Sequence, residues 1–189
     1  LPYPDSNRLV RVWHTPPPEG FPGRKIFAVS PANYLDWEAQ NQVFDKMAIM
    51  GFTSLNLTRN GEPESVRTAR VSADFFAVLG SRPLLGRTLG PADAADAADG
   101  GRVIVLSHPF WKTRFGGDPM AVGQTLQLGG ARHTIVGVLP PEADRFPAGG
   151  ADVWAALTFS PSSFLNQRGS IALSAIGRLH GEATLAAAR

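Results

Sequence analysis

Between Gly101 and Pro141 the chain reads GRVIVLSHPFWKTRFGGDPMAVGQTLQLGGARHTIVGVLPP, and its glycines and prolines leave room only for short elements. Val103 to Leu106 is a four-residue apolar run, the length of a buried strand. Ser107 is placed to cap a helix in which Trp111 and Phe115 fall one turn apart, and Gly116-Gly117 ends it. Gln124 to Leu128 and Arg132 to Leu139 alternate in polarity on either side of Gly129-Gly130, the pattern of a tight hairpin; Pro140-Pro141 stops the second strand. Strands and helices this short, mixed without regular alternation, predict an α+β fold rather than a doubly wound parallel sheet.

The same reading extends over the rest of the chain. Asn7 to Trp13 alternates like a half-buried strand and runs into Pro16-Pro17-Pro18. Ser30-Pro31 opens a helix expected to reach Phe44, with Tyr34, Trp37, Phe44 and Met47 on its buried face. Ile49 to Thr58 and Ser65 to Val71 flank Asn60-Gly61 as a hairpin. Ser72 caps a short helix with Phe75, Phe76 and Leu79 inward and Gly80 at its end. Pro91 to Gly101 (PADAADAADGG) reads as an exposed loop or frayed turn, with Asp93, Asp96 and Asp99 solvated. A strand at Val153-Trp154, a Ser-rich connection near Ser160, a strand over Ile171 to Leu179 and the first turns of a helix from Thr184 to Arg189 complete the expectation.

Composition removes several classes of function. Eighteen Lys+Arg against 16 Asp+Glu leave a formal charge of +2, and no basic cluster exceeds Arg24-Lys25, so no nucleic-acid partner is expected. Eleven Phe and four Trp supply core material. The absence of cysteine rules out disulfides, thiolate nucleophiles and cysteine zinc sites. No apolar run approaches the roughly 18 residues of a membrane span, so the chain reads as a soluble piece, one that fits excision from something longer.

A search for chemistry finds architecture instead. Gly80 to Thr88 imitates a phosphate loop, but five residues separate its glycines where four are needed, and Arg87 stands in the lysine position. Ser107 and His108 are adjacent, so their side chains diverge, and no nucleophile elbow surrounds them. His14, His108, His133 and His180 are scattered, and Asp93, Asp96 and Asp99 lack the closing glutamate of a calcium loop. The expectation is no catalytic residue, metal or cofactor. Two alternatives stay open: a small hydrolase or ligand-binding enzyme using His108 or His180 beside a carboxylate, and a free-standing protein interaction module.

The order of the motifs says more than any one of them. SPANYLDW (Ser30 to Trp37), VSADFFAVLGSRPLLGRTL (Val71 to Leu89), Val103 to Pro141, DVWAAL (Asp152 to Leu157) and GRLHGEATLAAA (Gly177 to Ala188) together resemble the periplasmic core domain of MacB/FtsX-type ABC-transporter permeases, over nearly the whole chain. The resemblance implies a porter-like α/β part made from about 1–90 plus 171–189, and an inserted, mainly β, Sabre-like part over about 91–170. It implies an extracytoplasmic, non-catalytic role in a bacterial inner-membrane protein, transmitting conformational change. The partners it implies are the parent's membrane helices, a periplasmic adaptor and a separate cytoplasmic ATPase subunit. It gives structural rather than catalytic importance to Gly80, Pro83, Gly86, Arg87, Trp111, Gly123, Gly137 and Pro140. Within that set Gly80 ends a helix, Pro83 stiffens a bend, Gly86 permits a close turn and Arg87 ties a carbonyl or carboxylate.

Overall fold

The first strand starts later than its alternation suggests, because Asp5, at φ 47°, turns the chain into a short 3-10 segment over Ser6–Arg8. The structure, a computed structural model, describes residues 1–17, 19–23, 25–59, 62–98, 102–145, 149–158 and 172–188. Strand β1 (Leu9–Val12) follows the turn. Helix α1 (Pro31–Gln40) is capped by the Ser30 hydroxyl, which accepts the Asn33 N–H, with Pro31 in the first turn. It does not reach Phe44. The Asn41 side chain accepts the N–H groups of Val43 and Phe44 and donates to the Phe44 carbonyl, offering the backbone a turn in place of another helical bond. Phe44 therefore begins strand β2 (Phe44–Arg59), and Tyr34, Trp37, Phe44 and Met47 share one cluster from two elements.

Strand β3 (Glu62–Val71) returns along β2 in unbroken register from Arg59↔Glu62 to Met50↔Val71; the Asn60-Gly61 turn itself lies outside the described residues. Helix α2 (Phe75–Leu79) ends at Gly80 in left-handed backbone (φ 64°), but Ser72 does not cap it: its hydroxyl accepts the Ile49 N–H. After β4 (Leu85–Gly86), the expected loop is helix α3 (Pro91–Ala98). Its alanines favour helix, and Asp93 is buried instead of solvated, for a reason given below. Strand β5 (Val103–Leu106) leads into α4 (His108–Phe115), whose cap Ser107 accepts the Phe110 N–H. Strands β6 (Thr125–Leu128) and β7 (Ala131–Val138) turn through Gly129 and Gly130, both at positive φ. Strands β8 (Val153–Ala156) and β9 (Ser174–Leu179) complete the set; the Ser-rich stretch lies outside the described residues. Thr184 to Ala188 forms a single turn closed by the Ala187 N–H on the Thr184 carbonyl, not a helix.

Among the described residues, the strands join one mixed sheet in the order β1-β9-β2-β3-β8-β5-β7-β4. Strand β6 pairs with β7 and touches β2 at Leu57↔Leu128, which closes β2, β3, β8, β5, β7 and β6 into a small barrel. The β3–β8 and β5–β7 pairs are parallel, the rest antiparallel. Leu57, Val66, Ile104, Leu106, Leu128, Ile135 and Val153 fill the barrel, and Phe110 and Trp111 of α4 close one end. The outer face of the same strands carries Ala69, Val71, Val105 and Trp154 against Phe75 and Phe76 of α2. Helix and strand mix in the manner anticipated, as a mixed α/β fold.

Candidate functional site

Four consecutive residues of β7 form a junction. The Ile135 carbonyl accepts the N–H of Gly123, which sits at φ 93°. The Val136 carbonyl accepts the Arg87 N–H at 2.9 Å, Gly137 pairs with Gly86, and the Val138 carbonyl accepts the Leu84 N–H at 2.8 Å. The cause is an extra residue in β7: Ile104 pairs with Ile135 but Val105 with Gly137, leaving Val136 as a bulge whose carbonyl is free to turn toward Arg87. Gly86, Arg87, Gly123 and Gly137 thus meet at one strand. Pro83 immediately precedes this crossing, and Pro140 follows it, its carbonyl accepting the Ala143 N–H. Gly80 and Trp111 lie elsewhere, Gly80 beside Pro4 and Trp111 donating its indole N–H to the Asp118 carbonyl.

Arg87 then locks α3 to the junction. Its guanidinium forks onto both oxygens of Asp93 at 2.7 and 2.8 Å, and Asp93 also accepts the Gly90 N–H at 2.9 Å. Hydrogen bonds from Arg87 hold the Asp93 carboxyl below its ordinary pKa against the opposing effect of burial. A depressed folded pKa stabilises the protein above the ordinary carboxylate range and loses that contribution as pH falls through the lowered value. Asp93→Asn is therefore expected to cost about 1–3 kcal/mol at neutral pH. Urea titrations of the two proteins should converge as the solution is acidified; an equal difference at acidic and neutral pH would contradict the assignment.

A second clamp escaped the sequence reading. Arg178, on β9, donates to the carbonyls of Val78 (2.7 Å) and Leu79 (3.2 Å) at the end of α2, and to that of Asp5 (3.3 Å). The first two are carbonyls that a helix end leaves unpaired. The signal was present in Ala175-Ile176-Gly177-Arg178, where an arginine interrupts a buried strand.

The histidines do not assemble a reacting group. Ser107 is committed to its cap, and the His108 ring packs edge-on against Trp111 at 5.6 Å between centroids. His180 is exposed and engages Val43 through its backbone N–H, and His14 packs against Trp37. His133 is buried beside Arg70 and Arg102 at the open end of the barrel, a grouping the sequence reading did not find. Among the described residues no three His, Cys, Asp or Glu side chains are placed to hold a metal ion.

The family model of the MacB-like periplasmic core domain matches residues 2–189. The chain belongs to that family. Its fold is similar to that of the periplasmic region of MacB from Actinobacillus actinomycetemcomitans (TM-score 0.63, 15% identity, covering 97% of this chain and 79% of that one). It is also similar to a domain of a permease protein from Porphyromonas gingivalis (TM-score 0.67, 17% identity, 96% and 79% covered). A third likeness is to the extracellular domain of the noncanonic ABC-type transporter YknZ from Gram-positive bacteria (TM-score 0.60, 13% identity, 92% and 84% covered). No curated protein sequence matches. The chain is thus an extracytoplasmic domain of the kind carried by bacterial ABC-type permeases. No helix among the described residues is long and apolar enough to cross a membrane.

Proposed function

We propose that this MacB-like core domain works as a rigid lever, carrying conformational change from the membrane helices of its parent permease to a periplasmic partner. The supporting observation is the pairing of β1 with β9. Because the two run antiparallel in register Leu9↔Arg178, the chain enters β1 and leaves β9 at the same end of the sheet. Arg8 donates to the Leu179 carbonyl and Arg178 to the Asp5 carbonyl across that entry point, so a displacement applied to either flank reaches the other. From there the sheet runs without a break to β4, through the junction at β7. In this reading residues 91–170 are the inserted, mainly β part, docked on the β2–β3 hairpin, and 1–90 with 171–189 form the porter-like part. ATP hydrolysed by a separate cytoplasmic subunit supplies the work, and a periplasmic adaptor receives it.

The test uses the parent permease, reconstituted with its ATPase subunit and spin-labelled at Arg11 on the edge strand β1 and at Met120 between α4 and β6, both exposed. ATP turnover is expected to change the distance from Met120 to the membrane surface while the Arg11–Met120 distance stays fixed. A domain that stays still relative to the membrane, or that deforms internally by as much as it moves, would remove the proposal.

A further inference from the structure

The barrel that α4 closes at one end is open at the other, and the open end is basic. A cleft of about 260 Å³ is lined there by Arg70, Arg102, His133 and Thr68, with Leu55 and the Gly129 turn on its rim. The sheet register explains the convergence. Arg70 pairs with Ala155, Ala155 with Ile104, and Ile104 with Ile135, so all four project from one face, the interior of the barrel. Two residues back along β5 and β7 on that face stand Arg102 and His133. Three basic side chains, on β3, on β7 and just before β5, therefore end the apolar interior, and no Asp or Glu lines the cleft among the described residues.

Such an arrangement is costly without a counter-charge. The Arg70 Nε is shielded from solvent and has no hydrogen-bond partner among the described residues; only its Nη2 donates, to the Ala156 carbonyl at 3.3 Å. His133 is 7% exposed, with Nδ1 3.1 Å from the Ala131 carbonyl, which leaves Nε2 as the ring's remaining polar atom. Buried cations in folded proteins are paired, and a fixed guanidinium fork fits planar or tetrahedral oxyanions.

We propose that the open mouth of the barrel is a binding site for a small oxyanion, a carboxylate or phosphate group held between Arg70, Arg102 and His133. β-Barrel mouths are among the places where small ligands lodge. The anion accepts from the guanidinium groups of Arg70 and Arg102 and from the His133 ring, and it offsets the repulsion between the two arginines. Burial, and then Arg102, lower the pKa of Arg70; burial, followed by Arg102 and Arg70, lowers that of His133, against the opposing bond to Ala131. The site is independent of the lever reading.

The experiment titrates the 189-residue chain with inorganic phosphate and, separately, with succinate, at ionic strength held constant with sodium chloride, following the His133 ring protons by NMR. The expected result is a saturable shift with at least one of the two anions, which also distinguishes phosphate from carboxylate. Arg102→Gln, at an exposed position, is expected to weaken binding about tenfold, the loss of one charged hydrogen bond. Arg70→Gln should do the same, with its backbone NMR spectrum as the control for folding. No saturable shift with either anion, or an unchanged midpoint in Arg102→Gln, would overturn the proposal.

Discussion

Gly137→Ala is expected to cost at least about 3 kcal/mol and to lower the melting temperature by roughly 10 °C. A Cβ at Gly137 would fall far inside van der Waals contact distance of the Arg87 carbonyl oxygen and 2.9 Å from that of Leu85. Both obstacles are backbone atoms, and the chain that carries them is fixed on each side of Gly137, by Leu84 on Val138 and by Arg87 on Val136. Neither can swing away as a side chain would, so the strands must separate or the bulge must reform. Gly123→Ala is the matched comparison. Gly123 has the left-handed backbone (φ 93°) but open space around its Cβ direction, so it isolates conformational strain, about 1–2 kcal/mol. If calorimetry shows Gly137→Ala no worse than Gly123→Ala, β4 and β7 do not approach as closely as the structure has them.

These two glycines also show what kind of information the sequence carries. Local rules placed most elements, because caps, alternation and turn residues act over a few positions: Ser30-Pro31, Ser107 and Gly129-Gly130 all do in the structure what their chemistry suggests. Such rules fail where a side chain answers to a distant strand. Ser72 is a good cap by type, yet its hydroxyl is taken by Ile49 on the neighbouring strand. Asp93 reads as one of three solvated aspartates until Arg87, six residues earlier, folds back onto it. The open end of the barrel was illegible for a related reason. Arg70, Arg102 and His133 are ordinary strand residues in sequence, and only the pairing of β3 with β8, β8 with β5 and β5 with β7 brings them to one face. A sharper reading of Val66-Arg67-Thr68-Ala69-Arg70 would have noticed that the phase placing Val66 inward places Arg70 inward as well.

Trp154→Ala should rank with Gly137→Ala in effect, by a different mechanism, at about 3–5 kcal/mol. Trp154 is 2% exposed and packs with its ring tilted against Phe75 at 5.5 Å and edge-on to Phe76 at 5.6 Å, ring centre to ring centre. Its strand, β8, is the one that joins the β2–β3 hairpin to β5, so the indole fastens α2 across the seam between the two halves of the sheet. Removing it opens a cavity that rigid strands cannot collapse into. Trp154→Phe separates packing from hydrogen bonding, because the indole Nε1 has no partner among the described residues. Phenylalanine keeps a ring against both Phe75 and Phe76 and relieves an unsatisfied buried N–H, so its cost is expected to stay below about 1.5 kcal/mol in urea unfolding. A phenylalanine variant as unstable as the alanine one would mean that the indole nitrogen does bond within the core. If the alanine variant instead unfolds in two steps, the indole is what couples the unfolding of the two halves across the seam.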